Sequence, residues 1–134
     1  MSYTQDVCLE TRDDLNELLS TTPYEFIMLK FQADWCRPCK VLNPFVHKQV
    51  TQKLKELDEK QRKNVFLYVD VNVDVCIDLY AFLKQKKRIN GIPAIFLYSK
   101  KISAQMDREH MYIPHASVTG VKEGEIKKLF DCIQ

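Results

Sequence analysis

Three nearly continuous apolar segments are the feature that most constrains how this chain can fold. They cover residues 26–31, 65–71 and 94–98, and they are rich in β-branched and aromatic side chains. Short segments of this kind are typical of strands that are covered on both faces. Between them, apolar residues recur at helical spacing over residues 36–57 and about 74–86. The alternation predicts an α/β fold with a central mixed β-sheet flanked by helices on both faces.

Weaker signals predict the remaining elements. Residues 6–10 alternate like an edge strand, and Thr11 with Asp14 has the Thr-x-x-acid form of a capping box, which predicts a helix start. A hairpin strand is expected near residues 111–118, and a last helix has a buried stripe that includes Ile126 and Phe130. Val75 is expected to face the core from the third helix. Helical crossovers are expected to give parallel strand pairs, and the late hairpin an antiparallel pair.

Length, charge and cysteine content limit the class of protein. The 134 residues suit one domain over residues 1–134, and the net charge of +2 is too small to favour a nucleic-acid partner. No apolar run reaches the ~18 residues of a membrane span, and residues 1–6 do not resemble a secretory signal, so no membrane partner is expected. Five cysteines are too few for a disulfide scaffold, and their odd number indicates mostly free thiols. We therefore expect a cytoplasmic location.

Cys36 and Cys39 form a C-x-x-C pair at the predicted start of the long helix. That spacing is just under one helical turn, so the two sulfur atoms can reach disulfide distance with little motion. Unpaired N–H groups at a helix N-terminus stabilise an anion, which favours the thiolate of Cys36 and makes it the expected nucleophile. Cys39, one turn further in, is the expected resolving thiol. Arg37 adds a positive charge that favours the thiolate, and Pro38 suits the first helical turn.

Two other interpretations of the C-x-x-C pair are a zinc site and an inert structural pair. A tetrahedral zinc site needs about two more ligands, and the sequence has no second C-x-x-C. The three histidines, at positions 47, 110 and 115, are far from the pair in sequence. No metal and no cofactor are therefore expected beyond the Cys36–Cys39 disulfide itself. The remaining thiols, Cys8, Cys76 and Cys132, are interpreted as small buried hydrophobic residues, with Cys132 the most accessible of the three.

The segment Phe31-Gln32-Ala33-Asp34-Trp35-Cys36-Arg37-Pro38-Cys39-Lys40 resembles the active-site segment of the thioredoxin family, in which Phe-x-Ala-x-Trp-Cys-Gly-Pro-Cys-Lys is usual. Gly91-Ile92-Pro93 resembles the family's Ile-Pro pair, and Gly120 resembles its glycine before the last helix. The resemblance implies a thioredoxin-like fold, a cis Pro93 beside Cys36, a substrate groove formed by Ile92, Pro93 and Gly120, and an apolar Trp35 beside the reactive sulfur.

Three departures from the family pattern mark this chain as a divergent member. Arg37 replaces the usual Gly, which makes the pair more electropositive and less reducing, because a stabilised thiolate stabilises the reduced form. Lys30 stands where the resemblance places a buried Asp. Either Lys30 lays its stem along the core while its amine reaches water or an acidic partner, or it lies near the Cys pair and favours the thiolate. We expect the second, because few other polar groups are expected around it. The segment from Pro93 to Gly120 is also longer than in compact members.

The sequence thus predicts a thiol–disulfide oxidoreductase that reduces protein disulfides through a Cys36 mixed-disulfide intermediate. Its expected partners are disulfide-containing protein substrates and an upstream reductase or a low-molecular-weight thiol. The alternative is a thioredoxin-fold interaction module whose redox activity is weak or vestigial. Retention of both cysteines, Trp35 and Pro38 favours the enzyme, whereas Lys30 and the long 93–120 segment favour the module.

Overall fold

The computed structural model describes residues 9–134, which form five helices and four strands. The elements, in chain order, are α1 (Arg12–Thr21), β1 (Phe26–Gln32), α2 (Arg37–Glu59), β2 (Phe66–Asn72), α3 (Ile77–Gln85), β3 (Ala94–Ser99), α4 (Lys100–Ser103), β4 (Ala116–Thr119) and α5 (Glu123–Asp131). The predicted edge strand at 6–10 falls largely outside the described residues, and Glu10 lies in a bend. No helix within residues 9–134 is long and apolar enough to cross a membrane.

The four strands form one mixed sheet in the order β2-β1-β3-β4. β1 is parallel to β2 and antiparallel to β3, and β3 is antiparallel to β4. The expectation that helical crossovers give parallel pairs is therefore correct for β1 and β2 and wrong for β3. A parallel pair requires a crossover, but a crossover need not end in a parallel strand. Here residues 86–93 return the chain to the sheet edge at which α3 began.

Helices cover both faces of the sheet, as the sequence predicts. Successive residues of a strand point to opposite faces, so each strand contributes to two apolar clusters. One cluster joins the sheet to α1 and α3 through Leu15, Leu19, Leu79 and Leu83. The other joins it to α2 and α5 through Leu42, Val46, Val50, Ile126 and Phe130. The sheet is therefore buried on both sides, which explains the continuous apolar strands.

Two local predictions about the middle and late parts of the chain need correction. Val75 is 58% exposed, because α3 begins only at Ile77 and Val75 lies in the turn after β2. The predicted hairpin strand at 111–118 is shorter and later, at Ala116–Thr119. Met111 instead packs in the cluster on the α1 side, where Ser20 Oγ donates a hydrogen bond to its Sδ at 3.8 Å.

Candidate active site

The strand directions bring four chain segments to one edge of the sheet. β1 and β2 both end there, since Gln32 is in register with Asn72. β3 begins there and β4 ends there, since Ala94 is paired with Thr119. The chain segments that follow β1, β2 and β4 therefore lie near the segment that precedes β3. They include Trp35, Cys36, Asp74, Pro93 and Gly120.

Cys36 and Cys39 form a disulfide across the first turn of α2, with their Cα atoms 5.3 Å apart. Cys36 is the N-cap residue of α2, and its Sγ accepts a hydrogen bond from the backbone N–H of Cys39 at 3.2 Å. Cys36 is 4% exposed and Cys39 1% exposed, so both are buried members of the core cluster on the α1 side. A helix N-terminus that donates to Cys36 Sγ also stabilises a thiolate there.

The first turn of α2 is cationic. Arg37 and Pro38 occupy its first two positions, both exposed, and Lys40 follows one turn after Arg37. The turn contains no acidic residue. The backbone amides of this turn and the side chains of Arg37 and Lys40 thus all contribute positive electrostatic potential beside Cys36.

Trp35 is held over this edge by a contact that the sequence alone did not reveal. Its indole Nε1 donates a hydrogen bond to Asp74 Oδ2 at 2.9 Å, while the ring remains 67% exposed. Asp74 follows β2 as Trp35 follows β1, so the parallel pairing of these strands brings the two residues together. The signal was available in the sequence, because polar residues that follow neighbouring parallel strands meet at one edge.

The Ile92–Pro93 peptide bond is cis, as the resemblance implies. Ile92 packs against the same core cluster that contains Cys36 and Cys39. The carbonyl oxygen of Pro93 accepts a hydrogen bond from the N–H of Gly120 at 2.8 Å, which ties the two predicted groove segments together. Gly120 has φ of +89°, a conformation that residues with a Cβ rarely adopt.

Lys30 lies on β1 with no exposed surface, on the face covered by α2. The expectation that it has few polar neighbours is wrong: its Nζ donates hydrogen bonds to the side-chain oxygens of Gln32 and Asn43. Asp70 is its register partner on β2 and accepts a hydrogen bond from the hydroxyl of Tyr68 at 2.7 Å. Burial lowers the pKa of Lys30, and the Asp70 carboxylate opposes this shift.

The other cysteines differ in their surroundings. Cys76 is 8% exposed and directly precedes α3, which fits the expected role of a small buried hydrophobic residue. Cys132 is an exposed free thiol, and its Sγ contacts the carbonyl oxygen of Lys128 at 3.4 Å. Cys8 lies outside the described residues. Across residues 9–134, no three His, Cys, Asp or Glu side chains are grouped so that they could hold a metal ion.

These observations define a class of protein: an α/β chain of thioredoxin-like fold with a C-x-x-C disulfide at the N-terminus of a helix. The family model described as "Thioredoxin" matches residues 6–111. Thioredoxin from Equus caballus is 36% identical over 73 residues, which cover 54% of this chain and 60% of that protein. Thioredoxin from Callithrix jacchus is 30% identical over 90 residues, which cover 60% of this chain and 78% of that protein. The chain belongs to the thioredoxin family.

Solved structures agree with this fold. A thioredoxin of Plasmodium falciparum has a TM-score of 0.60 with 18% identity, over 92% of this chain and 94% of that chain. The germline-specific thioredoxin Deadhead of Drosophila has a TM-score of 0.56 with 19% identity, over the full length of both chains. At this level of identity the likeness establishes the architecture.

Proposed function

We infer that the protein is a thiol–disulfide oxidoreductase that reduces disulfide bonds in protein substrates. The observation that carries this inference is the Cys36–Cys39 disulfide across the first turn of α2, in a chain of the thioredoxin family. Both sulfurs lie within one helical turn, and the helix N-terminus beside them favours a thiolate. The site therefore has the two thiols, the proximity and the electrostatics that disulfide exchange requires.

The reaction proceeds by two exchange steps. In the first, the Cys36 thiolate attacks one sulfur of the substrate disulfide, a Cys36–substrate disulfide forms, and the other substrate sulfur leaves as a thiolate. In the second, Cys39 loses its proton and attacks Cys36 Sγ, which releases the second substrate thiolate. The substrate gains two electrons, and the protein loses two as the Cys36–Cys39 disulfide forms.

Residues around the pair have supporting roles in this scheme. Arg37 favours the thiolate of Cys36 by its charge, and Pro38 limits the freedom of the first turn of α2. Ile92, Pro93 and Gly120 form the groove in which an extended substrate segment lies beside Cys36. The Gly120–Pro93 hydrogen bond supports this role, because it holds the groove segments at the sheet edge where α2 begins.

Lys30 acts as a positioning residue in this scheme, through its charge. It lies on the strand that leads into the Cys pair, and it contacts α2 through Asn43. A protonated Lys30 in this low-dielectric position favours negative charge on the cysteines. Since burial lowers its pKa, Lys30 has this effect only at pH values where it keeps its proton.

The oxidised protein returns to the dithiol form by exchange with an upstream reductase or a low-molecular-weight thiol. Net reduction requires a reducing compartment, and the cytoplasm is the location we propose. The exposed free thiol of Cys132 supports this proposal, because unpaired thiols persist where disulfides are kept reduced.

An insulin-reduction assay with dithiothreitol tests the proposed activity. We expect the wild-type protein to accelerate insulin precipitation and Cys36→Ser to abolish the acceleration, because it removes the attacking sulfur. Once dithiothreitol has been removed, reduced Cys39→Ser should accumulate a covalent complex with the substrate, since the mixed disulfide then has no internal thiol to resolve it.

Cys132→Ser is the matched control, because it removes an exposed thiol that is not part of the Cys36–Cys39 pair. It should retain wild-type activity. If wild type and Cys36→Ser precipitate insulin at the same rate, the proposed activity is wrong and the interaction-module alternative replaces it.

A further inference from the structure

An open groove lies beside the Cys pair on the outer side of α2. It has a volume of about 530 Å³ and is lined by Trp35, Arg37, Lys40 and Val41. We call the surface formed by these four residues the α2 groove. Trp35 is 67% exposed and Val41 62% exposed, and the two apolar side chains line the same surface. The groove thus combines two apolar surfaces with two cations.

The two cations of the α2 groove are unpaired. Neither Arg37 nor Lys40 takes part in an ion pair within residues 9–134, and both are exposed. Two nearby carboxylates, Asp34 and Asp74, are not among the residues that line the groove. Asp74 is engaged with the indole of Trp35.

The charges in the first turn of α2 have the opposite sign to those that stabilise a helix N-terminus. Carboxylates are stabilising near a helix N-terminus and cations are not. In α2 the first turn nevertheless has no acidic residue, and Glu56 is the first acid after Arg37. The dipole, Arg37 and Lys40 therefore attract an anion to the same place, directly beside Cys36.

We propose that the α2 groove binds an acidic, partly apolar segment of the protein substrate, and that Arg37 and Lys40 thereby select disulfides flanked by Asp or Glu. This rests on the proposed disulfide reductase function and adds no chemical step to it. A carboxylate next to the target cysteine pairs with the two cations, and a neighbouring apolar side chain covers Trp35 and Val41. A small anionic disulfide would satisfy the charges but would leave the apolar surfaces uncovered, so we assign the groove to a protein segment.

Peptide disulfides that differ at one position test this selectivity. Each peptide contains one cysteine, which is preceded by Glu, Gln or Lys and followed by Leu. The cysteine forms a disulfide with the same chromophoric thiol in all three peptides. Rate constants with the reduced protein are divided by those with dithiothreitol, because a neighbouring charge changes the intrinsic reactivity of a disulfide. We expect the Glu peptide to react about fivefold faster than the Lys peptide at low salt, and the ratio to approach one near 1 M salt.

Arg37→Glu combined with Lys40→Glu should bring the Glu-to-Lys ratio below one. The ratio is the readout because it cancels changes in the reactivity of Cys36 itself. Lys48→Glu combined with Lys55→Glu is the matched control: it makes the same charge change at two exposed positions of α2 outside the groove, and the ratio should stay at the wild-type value.

The outcomes separate this proposal from the function on which it rests. If none of the peptides is reduced, the reductase function fails. If all three are reduced at equal normalised rates, the reductase function stands and the selectivity of the α2 groove is wrong. If glutathione disulfide reacts faster than the Glu peptide and loses this advantage in the Arg37→Glu, Lys40→Glu variant, the groove serves a small anionic disulfide and our assignment is overturned.

Discussion

Lys30 shows how one charged residue is accommodated in the interior of this fold. Removing an ammonium group from water is costly unless hydrogen bonds replace its hydration. Gln32 and Asn43 supply acceptors from β1 and α2, and Asp70 supplies a negative charge from β2. The amides of Gln32 and Asn43 thus replace part of the hydration of the ammonium group, and the carboxylate of Asp70 opposes its positive charge. Its effect on the Cys pair depends on how much of its charge this environment leaves uncompensated.

We predict that Lys30→Met raises the pKa of Cys36 and makes the pair more reducing. Methionine keeps a side chain of similar length but removes the charge, so the thiolate loses electrostatic support and the reduced form becomes less stable. Thiolate absorbance measured against pH reports the first effect, and the redox equilibrium with glutathione reports the second. No change in either quantity would mean that Lys30 is only structural.

The pH dependence of stability shows independently when Lys30 carries its charge. Its pKa is lowered from the ordinary value of 10.5 in the folded state, so the unfolded chain binds more protons between the lowered pKa and 10.5. Stability therefore rises with pH through this window. In urea unfolding, the free energy of unfolding of wild type should increase relative to that of Lys30→Met as the pH rises through this window. Burial raises the pKa of Tyr98 and acts in the opposite direction, but this contribution is common to both proteins and cancels.

At the scale of single elements, sequence reasoning succeeded where local chemistry decides the structure. Thr11 caps α1 as predicted, because its hydroxyl accepts from the N–H of Asp14 and the Asp14 carboxylate accepts from the N–H of Thr11. The apolar runs became β1, β2 and β3 within one or two residues of their predicted ends. Cys36 caps α2 at the predicted start of the long helix.

Some predictions failed at element boundaries, as at Val75 and at the strand expected near residues 111–118, and others failed on how elements meet. The direction of β3 depends on the route of residues 86–93, which has no local signature. The contact between Trp35 and Asp74 joins neighbouring strand ends that are 39 residues apart, so it follows only once strand order is known. The contact between Lys30 and Asn43 likewise follows only once the packing of α2 on β1 is known. The Cys pair was predictable because four consecutive residues contain both sulfurs, whereas the cis Pro93 was predictable only from the family resemblance.

The capping box of α1 gives a test at this scale. We predict that Thr11→Ala destabilises the protein by about 1 kcal/mol, since it leaves a helix N-terminal N–H without its side-chain acceptor. Urea unfolding measures the loss. Glu17→Ala, at an exposed position inside the same helix, is the control and should change stability by less than about 0.5 kcal/mol. Equal effects of the two substitutions would contradict a specific role of the cap.

In the molecule as a whole, the Cys pair is continuous with the core. Cys36 and Cys39 belong to the same apolar cluster as Leu29, Val71 and Phe96, which lie on three strands of the sheet. Formation or cleavage of the Cys36–Cys39 bond therefore takes place in contact with the packed interior. Because the disulfide also constrains the unfolded chain, the redox state of the site and the stability of the fold are thermodynamically linked.

We predict that the oxidised protein is more stable than the reduced protein by about 2 kcal/mol, because the disulfide closes a short loop in the unfolded chain and so lowers its entropy. The helix N-terminus works against this difference, since it stabilises the Cys36 thiolate in the reduced folded state. Urea unfolding with and without a phosphine reductant measures the difference. A Cys36→Ser, Cys39→Ser variant should show the same stability under both conditions, and Cys132→Ser should behave like wild type. If the two forms were equally stable, the pair would have the same redox potential in the folded and the unfolded chain, and the prediction would be wrong. If the oxidised form were the less stable one, the folded pair would be a stronger oxidant than the same pair in the unfolded chain.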